Sequence, residues 1–110
     1  TLATIAGPRP SNLAIAVLDN EAYGETGLQP THTANGIDLA DFARVARFAQ
    51  AETVWEASEV ERAARLLRTA DGPVLVVFKI LAQKLGIVSP PRDGAYVKAR
   101  FREALLGRAI

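Results

Sequence analysis

The protein chain has 110 residues, of which 49% are hydrophobic and 23% charged, so its length suits one small globular domain and excludes two domains within this stretch. Its formal net charge is only +1, whereas proteins that bind nucleic acid or an acidic membrane surface usually carry a large excess of positive charge. The absence of cysteine excludes a disulfide framework, a thiolate metal site and a cysteine nucleophile. We therefore expect a cytoplasmic protein that binds neither nucleic acid nor a membrane.

No stretch of the sequence is typical of a membrane span or a secretion signal. The longest apolar runs, residues 13–18 and 73–78, are far shorter than the roughly 20 residues that cross a bilayer. The chain also begins with threonine and contains no methionine, so we expect it to be a piece of a longer protein.

Three segments are typical of buried β-strands. Residues 13–18 and 74–78 are continuous apolar runs without polar alternation, which is the pattern of a strand covered on both faces. Residues 53–55 form a shorter candidate strand, in which we predict that the Trp55 ring packs into the core.

Two helices are predicted between these strands. Asp38 is placed to cap the first helix. Its apolar positions recur with helical spacing and are Leu39, Phe42, Ala43, Ala46 and Ala49. For the second helix, Ser58 and Glu61 predict a capping box, and Gly72 marks its end.

Helices are also predicted at the two ends of the chain. Residues 1–6 are typical of the last turns of a helix that Gly7 and Pro8 end, and residues 96–106 are predicted to form a final helix after a segment of turn formers. The alternation of strands and helices along the chain predicts an α/β fold, with a mainly parallel sheet between two helical layers.

Charge is concentrated at the end of the chain. Residues 79–110 carry seven basic and two acidic residues, a net charge of +5, so residues 1–78 sum to −4. We expect the tail, residues 81–110, to dock on the acidic body or on a partner subunit. An anionic ligand or nucleic acid is the alternative, but a nucleic-acid surface usually adds stacking aromatics or a known motif.

The connection after the first strand, residues 19–36, is the most informative segment. Its eighteen residues far exceed the usual length of about 2–6, and it leaves the carboxyl end of a strand, where α/β sheets bind ligands. Asp19 and Asn20 offer oxygen ligands for Mg²⁺, while Gly24 and Gly27 allow backbone N–H groups to approach a phosphate. The loop therefore suits a hard cation together with an oligophosphate.

The run NLAIAVLDNEAYGETGLQ, residues 12–29, resembles the second half of the thiamine diphosphate-binding motif, in which a strand ending in asparagine follows a Gly-Asp-Gly. Its Leu-Asp-Asn and Tyr-Gly-x-Thr-Gly-x-Gln are most similar to those of sulfopyruvate and phosphonopyruvate decarboxylases, relatives of acetolactate synthase and pyruvate decarboxylase. Weaker resemblance covers residues 1–6, 38–40 and 72–80. It implies that residues 1–110 are the carboxyl-terminal portion of a diphosphate-binding domain.

The resemblance implies roles for four residues of this loop, and two more are candidates for a pocket. Asn20 would bind Mg²⁺ through its side-chain oxygen and Ala22 through its backbone carbonyl. Tyr23 and Gly24 would donate main-chain N–H groups to the diphosphate. Thr26 and Gln29 are predicted to line the cofactor or substrate pocket, with simple loop hydrogen bonding as the alternative. The Gly-Asp-Gly half is missing from this chain, so the metal site lacks one ligand here.

Other polar residues have structural interpretations. Asp19 stands where the family often has asparagine, and we expect it to have a structural role. Glu21 and Glu25 are predicted to be solvated carboxylates rather than an acid/base pair. His32 is predicted to lie on the surface, with substrate binding or proton transfer as the alternative, and Lys79 to extend into solvent.

The resemblance implies thiamine diphosphate and Mg²⁺ as cofactors of a decarboxylase that acts on a small anionic 2-oxo acid. It also implies a partner that supplies a pyrimidine-binding domain or subunit, in a homo- or hetero-oligomer. The sequence identifies no catalytic residue in this chain, which alone would be incomplete. The alternatives are a carboligase like acetolactate synthase and a non-catalytic α/β interaction module. A nucleotide-binding α/β protein is a third alternative, against which the sequence offers no Gly-x-Gly-x-x-Gly and no P-loop.

Overall fold

The computed structural model of the chain describes residues 1–84, 86 and 88–107. In chain order the elements are α1 (Leu2–Ala6), β1 (Ala14–Asp19), β2 (Ala22–Tyr23), β3 (Gln29–Pro30), α2 (Leu39–Val45), β4 (Gln50–Val54), α3 (Val60–Thr69), β5 (Val74–Lys79) and α4 (Gly94–Leu106). Single 3-10 turns, His32–Asn35 and Ala57–Glu59, precede α2 and α3. None of the helices in this part of the chain has the length and apolar character needed to cross a bilayer.

Three strands form a parallel sheet in the order β1-β5-β4. The chain passes from β1 through α2 to β4 and returns through α3 to β5, which therefore lies in the middle. This central position explains the composition of β5, because Val74–Val77 are buried on both faces of the sheet. β1 lies at the edge of the described sheet and exposes Ala14, Ala16 and Leu18, so the prediction that residues 13–18 are covered on both faces is wrong. The register pairs Asp19 of β1 with Lys79 of β5, and Val54 of β4 with Phe78.

Helices cover both faces of this sheet. Successive side chains of β5 point to opposite faces, so they contribute to two separate core clusters. The cluster under α2 contains Ala40, Ala43, Phe48, Leu75 and Val77, with α1 packed against it. The cluster under α3 contains Val54, Ala63, Val74 and Val76. The predicted α/β fold of three layers is confirmed.

The position of Trp55 corrects one prediction. The strand predicted at residues 53–55 is β4, which begins three residues earlier, at Gln50, and ends at Val54. Trp55 follows the last paired residue of the strand and is 64% exposed, and the prediction that it packs into the core is wrong. Its ring centroid lies 5.0 Å from Nζ of Lys79 instead.

Asp38 caps α2 as predicted, since its carboxylate accepts a hydrogen bond from the Ala40 N–H at 2.8 Å. The helix is shorter than its apolar periodicity indicates. Ala46 and Ala49 lie beyond its end, because the backbone enters the left-handed region at Arg47, with φ of 65°.

The capping box lies two residues before the predicted one and belongs to the 3-10 turn that leads into α3. Glu56 and Glu59 form it, with the Glu59 carboxylate accepting a hydrogen bond from the Glu56 N–H at 3.4 Å. The prediction of Ser58 and Glu61 is wrong, because the chain makes the 3-10 turn Ala57–Glu59 before the α-helix begins.

Gly72 lies beyond the end of α3 and serves a close backbone contact. Its N–H donates to the carbonyl oxygen of Ser11 at 2.6 Å, and a Cβ atom at this position would collide with the carbonyl oxygen of Leu13. Only glycine allows the entry to β5 to approach the entry to β1 this closely.

The basic tail does not pack into the body of the chain. No residue of α4 is buried, and the radius of gyration of 16.9 Å exceeds the value of about 13 Å for a compact domain of about 100 residues. The expectation that the tail docks on the acidic body of its own chain is therefore wrong, while docking on a partner subunit stays a prediction. Arg108, which was counted in the tail charge, lies outside the described residues.

Candidate functional site

The segment that follows β1 folds into a hairpin at the carboxyl edge of the parallel sheet. Strands β2 and β3 pair antiparallel, with Tyr23 opposite Gln29. The turn between them is closed by the carbonyl oxygen of Tyr23, which accepts hydrogen bonds from the N–H groups of Thr26 at 3.3 Å and Leu28 at 3.0 Å. Gly27 has φ of 122°, which a side chain would disfavour. The candidate ligands of the loop are thus held by ordered backbone.

Asn20 and Ala22 present oxygen atoms on one side of this hairpin. The Ala22 N–H donates to Oδ1 of Asn20 at 3.1 Å. The Thr31 N–H donates to the Glu21 carbonyl at 2.9 Å, so Ala22 and Pro30 form the adjacent pair without mutual hydrogen bonds. In such a pair the N–H and C=O groups both point away from the partner strand, so the Ala22 carbonyl points to the same side as the Asn20 side-chain oxygen.

These two oxygens fit part of a Mg²⁺ site. A side-chain amide oxygen has two lone pairs, and the Ala22 N–H occupies one at Asn20. Mg²⁺ commonly binds few protein oxygens and completes its octahedron with phosphate oxygens and water. Within residues 1–84, 86 and 88–107, no three His, Cys, Asp or Glu side chains are grouped to hold a metal. The donor set fits a metal shared with a phosphate ligand and needs further ligands from elsewhere.

Tyr23 and Gly24 lie directly beside this pair of oxygens. A Cβ atom built on Gly24 would lie 3.9 Å from Nδ2 of Asn20, so the turn brings these two predicted residues together. The Tyr23 side chain is half-exposed. The structure thus places Asn20, Ala22, Tyr23 and Gly24 together at the start of the hairpin, while their roles toward a metal and a diphosphate stay a prediction.

Thr26 lies at the far end of the hairpin and closes its turn. Its hydroxyl donates to Oε1 of Gln29 at 2.9 Å, and Nε2 of Gln29 donates back to the Thr26 carbonyl at 2.9 Å. Loop hydrogen bonding, the alternative interpretation, describes Thr26 in this structure. Its role in a cofactor pocket stays a prediction.

A buried ion cluster joins the ends of β1 and β5. Asp19 is 8% exposed, and its carboxylate accepts hydrogen bonds from the Glu21 N–H at 2.9 Å, the Thr33 hydroxyl at 2.8 Å and Nζ of Lys79 at 2.8 Å. Nζ of Lys79 also contacts Oε1 of Glu21 at 2.6 Å. The expected structural role of Asp19 is what these bonds provide.

The side chains of Lys79 and Glu21 are less exposed than predicted. The Lys79 side chain is only 12% exposed, so its predicted extension into solvent is wrong. The reason is the register, which places Asp19 and Lys79 side by side on one face of the sheet. Glu21 is half-buried against Lys79 rather than fully solvated, whereas Glu25 is exposed as predicted.

Both members of the central ion pair are held in their charged forms. Burial alone would raise the pKa of Asp19, but hydrogen bonds from Lys79, the Glu21 N–H and Thr33, together with the Lys79 charge, hold that pKa below its ordinary value. Burial alone would lower the pKa of Lys79, but its bonds to Asp19 and Glu21 and their charges raise it. Asp19 and Lys79 are therefore both charged at neutral pH.

Two clefts flank this cluster. The first, of about 560 Å³, has a size typical of small-molecule sites and is lined by Asp19, Tyr23, Thr31, His32, Thr33, Ile37, Leu39 and Phe42. The second, of about 390 Å³, is lined by Leu18, Val54, Trp55, Glu56, Ala57, Val60, Phe78, Lys79 and Ile80. His32 is exposed at the first cleft, in agreement with its predicted surface position.

Part of the chain is similar to sulfopyruvate decarboxylase subunit beta from Methanocaldococcus jannaschii. The two are 41% identical over 44 residues, which are 40% of this chain and 23% of that protein. No protein-family model matches the chain, and no solved structure matches it either. The similarity to a decarboxylase subunit is therefore partial, and the matched segment spans less than a quarter of that relative.

Proposed function

We propose that this chain is part of a thiamine diphosphate- and Mg²⁺-dependent decarboxylase, and that residues 20–24 bind the metal and the diphosphate. The observation that carries the proposal is the shared orientation of the Asn20 side-chain oxygen and the Ala22 carbonyl at the carboxyl edge of a parallel sheet. Partial similarity to a decarboxylase subunit supports the class of reaction.

Each residue of the turn has one task in this proposal. Asn20 and Ala22 donate oxygen ligands to Mg²⁺, and the main-chain N–H groups of Tyr23 and Gly24 bind the diphosphate. Thiamine diphosphate, when bound, supplies the electron sink that allows a 2-oxo acid to lose CO₂. The chain contributes binding and orientation of the cofactor.

The proposed substrate is a small anionic 2-oxo acid of the sulfopyruvate or phosphonopyruvate kind. Among the described residues that line the two clefts, Lys79 is the only Lys or Arg, and its charge is offset by Asp19 and Glu21. A cation that recognises the acidic group of the substrate would therefore come from a partner, which is also proposed to supply the pyrimidine-binding domain.

Calorimetric titration of the intact protein with thiamine diphosphate, with and without Mg²⁺, tests the proposal. We expect binding that depends on Mg²⁺ and that weakens more than about tenfold in Asn20→Ala, because the variant lacks the side-chain oxygen. Asn12→Ala, at an exposed asparagine before β1, is the matched control and should bind like the unaltered protein. Binding that is absent, or equally tight in Asn20→Ala, would overturn the proposal.

The product formed from 2-oxo acids separates decarboxylation from carboligation. A decarboxylase releases CO₂ and an aldehyde, whereas a carboligase like acetolactate synthase joins two pyruvates with loss of one CO₂. We expect aldehyde to be the main product. Acetolactate from pyruvate would instead support the carboligase alternative.

A further inference from the structure

The backbone between the two proposed metal ligands has an unusual conformation. Glu21 lies between Asn20 and Ala22 with φ of 57°, in the left-handed region that residues other than glycine seldom occupy. Such a conformation persists only where surrounding contacts determine it. At Glu21 it allows the Ala22 N–H to reach Oδ1 of Asn20. The orientation of both proposed ligands therefore depends on what holds Glu21.

A single side chain binds the residues on either side of Asn20. Nζ of Lys79 lies 2.8 Å from Oδ2 of Asp19 and 2.6 Å from Oε1 of Glu21. Lys79 ends the central strand β5, which is the most buried strand of the sheet. The turn is thus connected through two charged hydrogen bonds to the most buried strand of the sheet.

The backbone around Asp19 is fixed by further contacts. The Asp19 carbonyl accepts a hydrogen bond from the Ile80 N–H at 3.0 Å. Oδ1 of Asp19 accepts hydrogen bonds from the Glu21 N–H and the Thr33 hydroxyl, and Oδ2 accepts one from Nζ of Lys79. Loss of the Lys79 ammonium would remove the cation that neutralises this buried carboxylate.

We propose that Lys79 is a positioning residue for the turn of residues 20–24, because it binds the carboxylates that flank Asn20 and so fixes the Asn20 oxygen and the Ala22 carbonyl in their shared orientation. The effect of Lys79 on cofactor binding rests on the proposed function, whereas its effect on the orientation of the turn does not. Lys79 is bonded to the flanking carboxylates, and it acts on the ligands through them.

Two variants and one control test the role of Lys79 in the intact protein. Lys79→Met removes the ammonium and keeps an unbranched apolar stem. Glu21→Gln is the milder change, because it leaves the pair of Asp19 and Lys79 in place. Lys98→Met is the matched control, since Lys98 is exposed on α4.

The first measurement is amide hydrogen exchange without cofactor. We expect exchange at the N–H groups of Glu21 and Ala22 to become more than about tenfold faster in Lys79→Met and to rise less in Glu21→Gln, while the buried Val76 amide keeps its protection. Unchanged exchange at the Glu21 and Ala22 amides in Lys79→Met would overturn the inference.

The second measurement is the affinity for thiamine diphosphate with Mg²⁺, followed by calorimetry and by the fluorescence of Trp55. Trp55 is the sole tryptophan of the chain, and its ring lies 5.0 Å from Nζ of Lys79, so its emission reports on the cluster. We expect Lys79→Met to weaken binding more than about tenfold and Lys98→Met to leave it unchanged.

The outcomes separate the inference from the proposed function. Tight binding by Lys79→Met, equal to that of the unaltered protein, overturns the role of Lys79 while the proposed function stands. No binding by the unaltered protein overturns the proposed function and the cofactor consequence together, and the exchange rates then still decide whether Lys79 fixes the turn.

Discussion

Asp19 carries the clearest pH dependence among single residues of the site. The pKa of its carboxyl is lower in the folded chain than its value of 3.8 in the unfolded chain. A lowered pKa means that the unfolded state binds the proton more readily, so the interaction stabilises the fold above the unfolded pKa. This contribution begins to decrease as the pH falls below the unfolded pKa of 3.8, and it is lost once the pH has fallen through the lower pKa of the folded chain.

We expect the acid sensitivity of the fold to diminish in Asp19→Asn. At pH 7 the variant should lose about 1–3 kcal/mol of unfolding free energy, because a buried charged hydrogen-bond network is broken. Below pH 4 the difference between the variant and the unaltered protein should shrink. Urea unfolding at several pH values measures this, with the exposed Asp71→Asn as control. A difference that stays constant down to pH 2 would argue against the ion cluster.

At the scale of elements, the cap of α2 also connects that helix to the sheet. Oδ1 of Asp38 accepts hydrogen bonds from the Ala40 N–H at 2.8 Å and from the Thr53 hydroxyl of β4 at 2.7 Å. α2 contributes Ala40 and Ala43 to the core, both fully buried. The start of α2 is therefore held by the same carboxylate that binds the adjacent strand.

The caps of α2 and α4 provide a matched pair of variants. Asp38→Ala should lower the unfolding free energy by about 1–2 kcal/mol, since the cap of a core helix is removed. Asp93→Ala removes an equivalent cap from α4, where the Asp93 carboxylate accepts from the N–H groups of Ala95 and Tyr96. It should leave global unfolding within about 0.5 kcal/mol, because α4 has no buried residue. Equal losses in a denaturant titration would contradict this.

The sequence predicted those elements whose signal is local. A strand buried on both faces is a continuous apolar run, which predicts β5. An N-cap requires a short polar side chain before the helix, which predicts the cap at Asp38. Trp55 and Lys79 were misplaced, because their positions depend on strand register and on where β4 ends. The turn of Asn20 was found by resemblance to a motif, whereas the Glu21 conformation depends on tertiary contacts.

The strand order explains why the ion cluster escaped prediction. Asp19 and Lys79 are sixty positions apart, and each simply follows an apolar run in the sequence. Only the order β1-β5-β4, with β5 inserted beside β1, makes these ends neighbours. The available signal is that both residues directly follow an apolar run, because the carboxyl ends of parallel strands lie at the same edge of a sheet.

At the scale of the whole molecule, the chain consists of a packed body and an unpacked basic helix. The core lies between α2, α3 and the sheet, whereas the apolar side chains of α4 stay outside it. The exposure of two phenylalanines shows the difference between the two parts. Phe48 is 7% exposed in the core, whereas Phe101 is 66% exposed on α4.

Replacing each phenylalanine by alanine should therefore give very different results. Phe48→Ala should lower the unfolding free energy of the chain by about 3–5 kcal/mol, because it leaves a cavity in the cluster under α2. Phe101→Ala should change it by less than about 0.5 kcal/mol, because no core contact is lost. Denaturant titration of the two variants in parallel measures both values. A loss at Phe101 close to that at Phe48 would mean that α4 packs into the body, and the tail would then stabilise its own chain rather than offer a surface to a partner.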